Sequence, residues 1–239
     1  MNLNQSTQEW LENNFYSCEF KDIVDSTNDW AKSEAFLDKN KEEVLTVYLA
    51  NAQTHGRGRG VNTWTQNDPG QNLLSSWSFL TENTLQPFHS ALIGLGLYKA
   101  LSQVWPHNNW SLKAPNDIYF GTKKLAGILI EIVSQGNENR VVIGLGLNVK
   151  SSPIEVPIAT SLEKSQFSVD ESHWSLFLEK LSFEWSQIMN ESKSSLTDIE
   201  RHDLIAALNA HPLLETKYTQ VLDDGSLVNS QKTIHWSDL

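Results

Sequence analysis

The 239-residue chain is poor in cysteine, in basic residues and in long apolar runs. Its single cysteine, Cys18, excludes an internal disulfide and a cysteine-based zinc site, and fits a reducing compartment. No apolar run approaches the roughly 18–20 residues that a membrane-spanning helix needs, so no membrane partner is expected. The opening MNLNQSTQEWLENNF has neither a basic n-region nor an apolar h-region, so no secretory signal is expected and the expected location is cytoplasmic. Only 18 Lys and Arg stand against 29 Asp and Glu, a net charge of −11, which argues against a nucleic-acid partner that would need a basic surface. There is no internal repeat, low-complexity tract or heptad pattern. The 39% hydrophobic content suffices for one sizeable core.

The scarce positive charge is concentrated. From Asn51 to Gln135 the chain carries Arg57, Arg59, Lys99, Lys113, Lys123 and Lys124 against Asp68, Glu82, Asp117 and Glu131. That stretch is +2 and the remainder is −13. A local excess of this kind suits a small anion better than a polymer.

Hydrophobic periodicity gives the organisation. Ser6-Thr7-Gln8-Glu9 has capping-box spacing and predicts a short helix to about Asn14. A strand is expected over Glu19–Val24, then a helix capped by Ser26 or Thr27 and running through Trp30, Ala31, Glu34 and Ala35. Val44–Ala50 and Asn72–Phe79 read as buried strands, and Pro87 opens a helix reaching Trp105. Strands follow at Trp110–Lys113, Asp117–Phe120, Lys124–Val133 and Arg140–Val149, with turns at Gly121-Thr122 and Ser134–Asn139. Helices are expected over Glu171–Met189 and Leu196–Leu208, and a small hairpin around Asp223-Asp224-Gly225. Strand runs with helices between and after them indicate an α+β fold.

Five segments carry chemistry. Gln53-Thr54-His55-Gly56-Arg57-Gly58-Arg59-Gly60, followed by Trp64, alternates glycine with arginine. Glycine lets backbone amides approach a ligand, and arginine is a forked cation suited to carboxylate or phosphate. The pattern describes a mobile loop that closes over an anion; by itself it is equally a surface loop with solvated arginines. In Lys113-Ala114-Pro115-Asn116-Asp117 the proline can fix a lysine, an amide and a carboxylate for phosphate, base edge and Mg²⁺, although Asn-Asp after proline is also a common turn. Lys123-Lys124-Leu125-Ala126-Gly127-Ile128-Leu129-Ile130-Glu131 places a lysine at the entry of a buried strand, with Gly127 marking a close approach. Gly144-Leu145-Gly146-Leu147-Asn148 has too few glycines for a dinucleotide fingerprint. Asp25-Ser26-Thr27-Asn28 is consistent with a plain helix cap.

In this order and spacing, from Asp22 to Val149, the five segments together closely resemble the biotin protein ligases. The resemblance implies a class II synthetase-like catalytic domain with a mixed, mainly antiparallel sheet flanked by helices. It implies an enzyme that joins biotin to ATP as biotinyl-5′-AMP and passes the biotinyl group to one lysine of a biotin carboxyl carrier domain, as in acetyl-CoA carboxylase. Ser26, Thr27, Asn28, Gln53, Gly56, Arg57, Gly58, Arg59, Lys124 and Gly127 are implied at biotin. Arg57, Arg59, Trp64, Lys113, Asn116, Asp117, Lys124 and Asn148 are implied at ATP, with Trp64 on the adenine and Asp117 serving Mg²⁺. Lys124, Arg59, Lys113 and Asp117 are the implied catalytic set. Relatives include monomers and homodimers.

The chain departs from the family pattern in three places. Ala114 stands where tryptophan is usual; Gly60-Val61 stands where Arg-Gly is usual; and His55 replaces a small residue. Fewer than 25 residues precede Asp25, whereas a winged helix-turn-helix domain needs roughly 50 or more, so no repressor domain is expected. The expected division is a catalytic domain over 1–212 and an abbreviated C-terminal β segment over 213–239. Two other readings remain open at this point: a lipoate or octanoate ligase or transferase of the same superfamily, and a non-catalytic biotin or nucleotide binder.

Overall fold

The computed structural model describes residues 1–37, 44–66 and 68–238. Helix α1 covers Leu3–Asn13 and begins a turn earlier than the capping-box spacing predicts. The cap is Asn2, whose side chain accepts from the Gln5 amide at 3.3 Å, and not Ser6. Thr7 is buried in the helix and donates to the Leu3 carbonyl at 2.7 Å, so the Ser-Thr pair belongs to the helix interior. Leu3, Thr7 and Leu11 recur at helical spacing and form its buried face.

Strand β1 is Ser17–Val24, two residues longer at its start than expected. Helix α2, Thr27–Ser33, is capped by Ser26, whose hydroxyl accepts from the Asp29 amide at 3.4 Å. Strands β2 (Leu45–Gln53) and β3 (Leu73–Thr81) follow, then the apolar helix α3 (Phe88–Val104). Next come β4 (Trp110–Lys113), β5 (Asp117–Phe120), β6 (Lys123–Gln135) and β7 (Glu138–Leu147). Helix α4 is Glu171–Asn190; α5 is Asp198–Asn209, with a capping box between Thr197 and Glu200. The chain ends in β8 (Tyr218–Val221), β9 (Leu227–Asn229), β10 (Thr233–Ile234) and a 3₁₀ turn at Trp236–Asp238.

The architecture is a mixed sheet of seven strands flanked by helices, an α+β fold. It divides into two compact units, Met1–Thr84 with Leu125–Leu178, and Leu85–Lys124 with Glu179–Leu239. In the first unit the strand order is β1-β2-β3-β7-β6; β1 pairs parallel to β2 and the other pairs are antiparallel. Val47, Leu49, Leu73, Trp77, Ile143 and Leu145 build its core, and Trp30 of α2 meets Tyr48 edge to face at 4.9 Å. Trp174 is buried there, donating Nε1–H to the Thr7 hydroxyl at 2.9 Å. In the second unit β4 and β5 form a hairpin, and β8, β9 and β10 form a separate antiparallel sheet. Trp185 is buried against α3 and donates to the Ile93 carbonyl at 3.0 Å. Among the described residues no helix is long and apolar enough to cross a membrane.

Trp174→Phe removes a buried donor and leaves space beside Thr7. The expected loss is about 2 kcal/mol, the sum of a lost hydrogen bond and a small void. Urea unfolding checks this as a lower midpoint with an unchanged slope.

Candidate active site

Parallel pairing brings the C-terminal ends of β1 and β2 to one edge, with Val24 opposite Gln53. The alignment continues past the strands, because the Thr54 amide donates to the Val24 carbonyl and the His55 amide to the Asp25 carbonyl, each at 2.9 Å. The segment Asp25–Asn28 therefore lies beside the start of the glycine–arginine loop. That loop is a short hairpin. Trp64 N–H donates to the Gly56 carbonyl and Gly58 N–H to the Asn62 carbonyl, each at 2.9 Å, and Arg57 bridges Thr63. The Asn62 amide closes the turn on the Arg59 carbonyl at 3.2 Å. Gly60 occupies that turn with φ of 64°, a left-handed conformation that explains glycine in place of the usual arginine.

At the head of α2, Thr27 N–H donates to Gln53 Oε1 at 2.8 Å. Ser76 Oγ of β3 lies 2.5 Å from Asn28 Oδ1 and 2.9 Å from Thr27 Oγ1. An amide oxygen only accepts, so Ser76 donates to Asn28. The Thr27 hydroxyl carries one proton and donates it either to Ser76 Oγ or to Gln53 Oε1, the latter at 3.1 Å. Asn28 Nδ2 donates to the Leu129 carbonyl at 3.1 Å and to Glu131 Oε2 at 2.9 Å. Its side chain lies across Gly144, where a Cβ would stand 2.2 Å from Asn28 Oδ1. Thr27, Asn28 and Ser76 are all buried, so this network is shielded from water. Gln53 Nε2 makes no hydrogen bond among the described residues.

Arg57 belongs to a cluster of four charges. Its Nη1 is 2.5 Å from Asp29 Oδ1, and its Nη2 is 3.0 Å from Glu131 Oε1. Lys32 Nζ lies 2.7 Å from Glu131 Oε1 and 2.9 Å from Asp29 Oδ1. Burial alone would raise the Glu131 carboxyl, but hydrogen bonds from Lys32 and Asn28 and the charges of Lys32 and Arg57 outweigh it and hold it below its ordinary value. Burial would likewise lower the Lys32 ammonium, and its bonds to Glu131 and Asp29 reverse that. All four groups are thereby held in their charged forms. His55 stands outside the cluster as an exposed partner of Asp25, 3.2 Å from its carboxylate.

Trp64 packs against β7. A Cβ on Gly146 would stand 2.4 Å from the indole Cε2, so only glycine admits the ring here. Gly146 pairs with Gly127 of β6, which brings the two glycines of separate motifs into register. Asn148 is buried; its amide donates to the Leu125 carbonyl at 3.0 Å, and its Oδ1 makes no hydrogen bond among the described residues.

Lys113, Asn116, Asp117 and Lys124 are grouped in the second unit. The tight turn Ala114-Pro115-Asn116, with a cis Ala114–Pro115 peptide, joins β4 to β5 and sets Lys113 opposite Asp117. Lys124 Nζ lies 2.7 Å from Asp117 Oδ1, as a charge contact and not an aligned hydrogen bond. Lys113 Nζ stands 5.4 Å from the Tyr119 ring centre, and the His211 ring packs on Tyr119 at 4.7 Å. Among the described residues no three His, Cys, Asp or Glu side chains form a metal cage.

Sequence reasoning gave no role to Ser76, Asp29, Lys32 or Glu131. Glu131 ends the quoted Lys-Leu-Ala-Gly-Ile-Leu-x-Glu motif, and the Ser75-Ser76 pair within an apolar strand is an unusual place for buried hydroxyls. Either feature could have pointed to the network.

Gly146→Ala is expected to displace Trp64 and destabilise the protein by about 1–3 kcal/mol, the usual cost of overpacking. Thermal unfolding of Gly146→Ala, Trp64→Ala and the double variant checks this: the double variant should lose less stability than the two single changes added together.

Residues 20–148, more than half of the chain, match the Biotin/lipoate A/B protein ligase family. The chain is 30% identical over 154 residues to the bifunctional ligase/repressor BirA of Bacillus subtilis, covering 61% of this chain and 46% of that protein. It is 36% identical over 121 residues to the biotin–[acetyl-CoA-carboxylase] ligase of Mycobacterium tuberculosis, covering 48% and 44%. It therefore spans about half the length of these relatives. The fold is similar to that of the Aquifex aeolicus biotin protein ligase solved with biotin and ATP, with a TM-score of 0.69 at 23% identity over 92% of this chain and 95% of that one. On the strength of the family match across both the α2 head and the glycine–arginine hairpin, the chain belongs to the biotin/lipoate A/B protein ligase family.

Proposed function

We propose that this chain is an ATP-dependent biotin protein ligase acting in the cytoplasm on a biotin carboxyl carrier protein. The observation that carries the reading is the arrangement at the ends of β1 and β2, where an arginine-bearing hairpin stands beside the Thr27–Gln53 pair. The names of the Mycobacterium relative and of the Aquifex structure, with its biotin and ATP, support the same chemistry. Family membership alone leaves biotin and lipoate open.

In this reading Ser26, Thr27, Asn28, Gln53 and Gly127 receive biotin, and Arg57 and Arg59 with the loop glycines receive its carboxylate side. Lys113, Asn116, Asp117 and Lys124 receive the triphosphate, with Trp64 and Asn148 serving the nucleotide. The biotin carboxylate attacks the α-phosphorus in line, the bond to the β,γ-diphosphate breaks, and pyrophosphate leaves. Catalysis here is positioning and cationic stabilisation of the phosphate oxygens, with no covalent enzyme intermediate. Asp117 is a carboxylate that would hold Mg²⁺ alongside the substrate phosphates, because among the described residues its Oδ1 meets the Lys124 charge and makes no hydrogen bond. When bound, such an ion neutralises phosphate charge. In the second step the carrier lysine loses a proton with the assistance of Asp117, and its amine attacks the mixed anhydride; an amide forms and AMP leaves.

Pyrophosphate release from purified protein with Mg-ATP tests the reading. Release is expected with biotin and not with lipoate; release with lipoate alone overturns the biotin assignment. Lys124→Ala should lower the biotin-dependent rate by on the order of 100-fold or more, the scale for removing a charge-stabilising donor. Its far-UV circular dichroism should be unchanged. Unchanged turnover removes Lys124 from the mechanism.

A further inference from the structure

Asn72 and Asn148 each carry a buried polar atom that makes no hydrogen bond among the described residues, and the two atoms are complementary. Both residues stand where the β3–β7 ladder ends. Its last regular pair is Leu73 with Leu147, so the next residues out, Asn72 and Asn148, face one another. Beyond them the register slips by one, because the Lys150 N–H, and not that of Val149, donates to the Gln71 carbonyl at 2.9 Å. The Val149 N–H drops out of the backbone pairing and donates to Asn72 Oδ1 at 3.1 Å. Only the oxygen of an amide accepts, so this contact fixes which way the Asn72 side chain points and leaves Nδ2 as a buried, unsatisfied donor. On Asn148 the buried, unsatisfied atom is Oδ1; its Nδ2 also makes no hydrogen bond, but it is not sealed from solvent. The backbone of Asn148 has no freedom to spare. Its N–H donates to the Leu125 carbonyl at 3.0 Å, and its carbonyl accepts from the Leu162 N–H at 3.1 Å. Side-chain rotation alone therefore decides whether Asn148 shows a donor or an acceptor.

We propose that Asn72 is a positioning residue: its Nδ2 pairs with Asn148 Oδ1 and holds the Asn148 amide with its N–H donors turned outward, to an acceptor atom of the nucleotide. This rests on the assignment of Asn148 to ATP made above and adds the residue that sets its orientation. Directly opposed residues have Cβ atoms about 5 Å apart, so a small rotation brings the donor onto the acceptor. Leaving either atom unpaired in the interior is costly, which favours that closure. Asn148 alternates with Gly144 and Gly146 along β7 and so lies on the face that carries the Asn28 amide. Asn72 thus does two things from beneath that face: its oxygen holds the slipped backbone at Val149, and its nitrogen aims the neighbouring side chain.

Asn72→Asp in the full chain keeps an acceptor for the Val149 N–H and exchanges the donor for a second acceptor. Asn148 then gains by turning Nδ2 inward, and it shows its oxygen to the nucleotide. With biotin saturating, KM for ATP should rise about tenfold, the effect of one lost hydrogen bond, with kcat and KM for biotin each within about twofold. In an Asn148→Ala background the same change should move KM for ATP by less than about twofold, because a residue that acts through Asn148 has nothing left to act on. Unchanged KM for ATP, an equal rise in both backgrounds, or a fall in kcat at constant KM overturns the proposal. Side-chain NMR reads the pairing without activity. The Asn72 side-chain N–H protons should exchange on the order of tenfold faster in Asn148→Leu than in the wild type, and Asn148→Asp, which keeps an acceptor, should restore the protection. Equal exchange in all three overturns the pairing, and this arm decides if Asn72→Asp does not fold. If wild type releases no pyrophosphate with biotin and Mg-ATP, the ligase reading fails, while the exchange arm still decides whether Asn72 holds Asn148.

Discussion

β1 and β2 run parallel with Val24 opposite Gln53, so two strands deliver their C-terminal ends to the same edge of an otherwise antiparallel set. Parallel neighbours need a crossover connection, and α2 lies within it. The head of a helix and the base of an arginine-bearing hairpin are therefore placed side by side by backbone pairing alone. The register matters as much as the direction, because a slip of one residue would turn Gln53 to the opposite face and away from Thr27. The polar network at Asn28 and Ser76, and the charge cluster around Arg57, are built on that alignment.

Electrostatically, the first unit is more self-contained than its sequence suggests. The local excess of basic residues reads as unbalanced positive charge awaiting an anion. In the fold, Arg57 and Lys32 meet Asp29 and Glu131, and in the second unit Lys124 meets Asp117. Cations suited to substrate anions are thus already held by carboxylates of the chain. The glycines of β7 complete the arrangement. Gly144 leaves room for the Asn28 amide and Gly146 for the Trp64 indole, two residues apart on one face of the strand.

Much of the fold was legible in the sequence because periodicity and punctuation agreed. The strands around Val47, Trp77 and Ile128, the helix opened by Pro87 and the hairpin at Asp223-Asp224-Gly225 stand where their patterns put them. The exceptions have local causes. The capping-box spacing at Ser6–Glu9 lost to Asn2, because a side chain that caps one turn earlier also buries Leu3 and Thr7. The pairing between Gly56 and Trp64 within the glycine–arginine segment leaves no record in composition. Asp29, Lys32 and Glu131 were readable only as a helix-face pair and a strand residue. Asp29 and Glu131 are 102 positions apart, and no local rule joins them before the sheet is formed. Ser76 was hidden for the same reason, since its partners Thr27 and Asn28 precede it by 49 and 48 residues.

The parallel register of β1 and β2, carried past the strands by the Thr54 and His55 amides, places the α2 head beside the glycine–arginine hairpin. Hydrogen exchange of the Thr54 and His55 amides in the full chain probes this alignment, because each donates to a carbonyl of the neighbouring segment at 2.9 Å. Both amides should exchange on the order of tenfold or more slower than in an unstructured chain. Exchange of both amides at the rate of an unstructured chain would overturn the alignment.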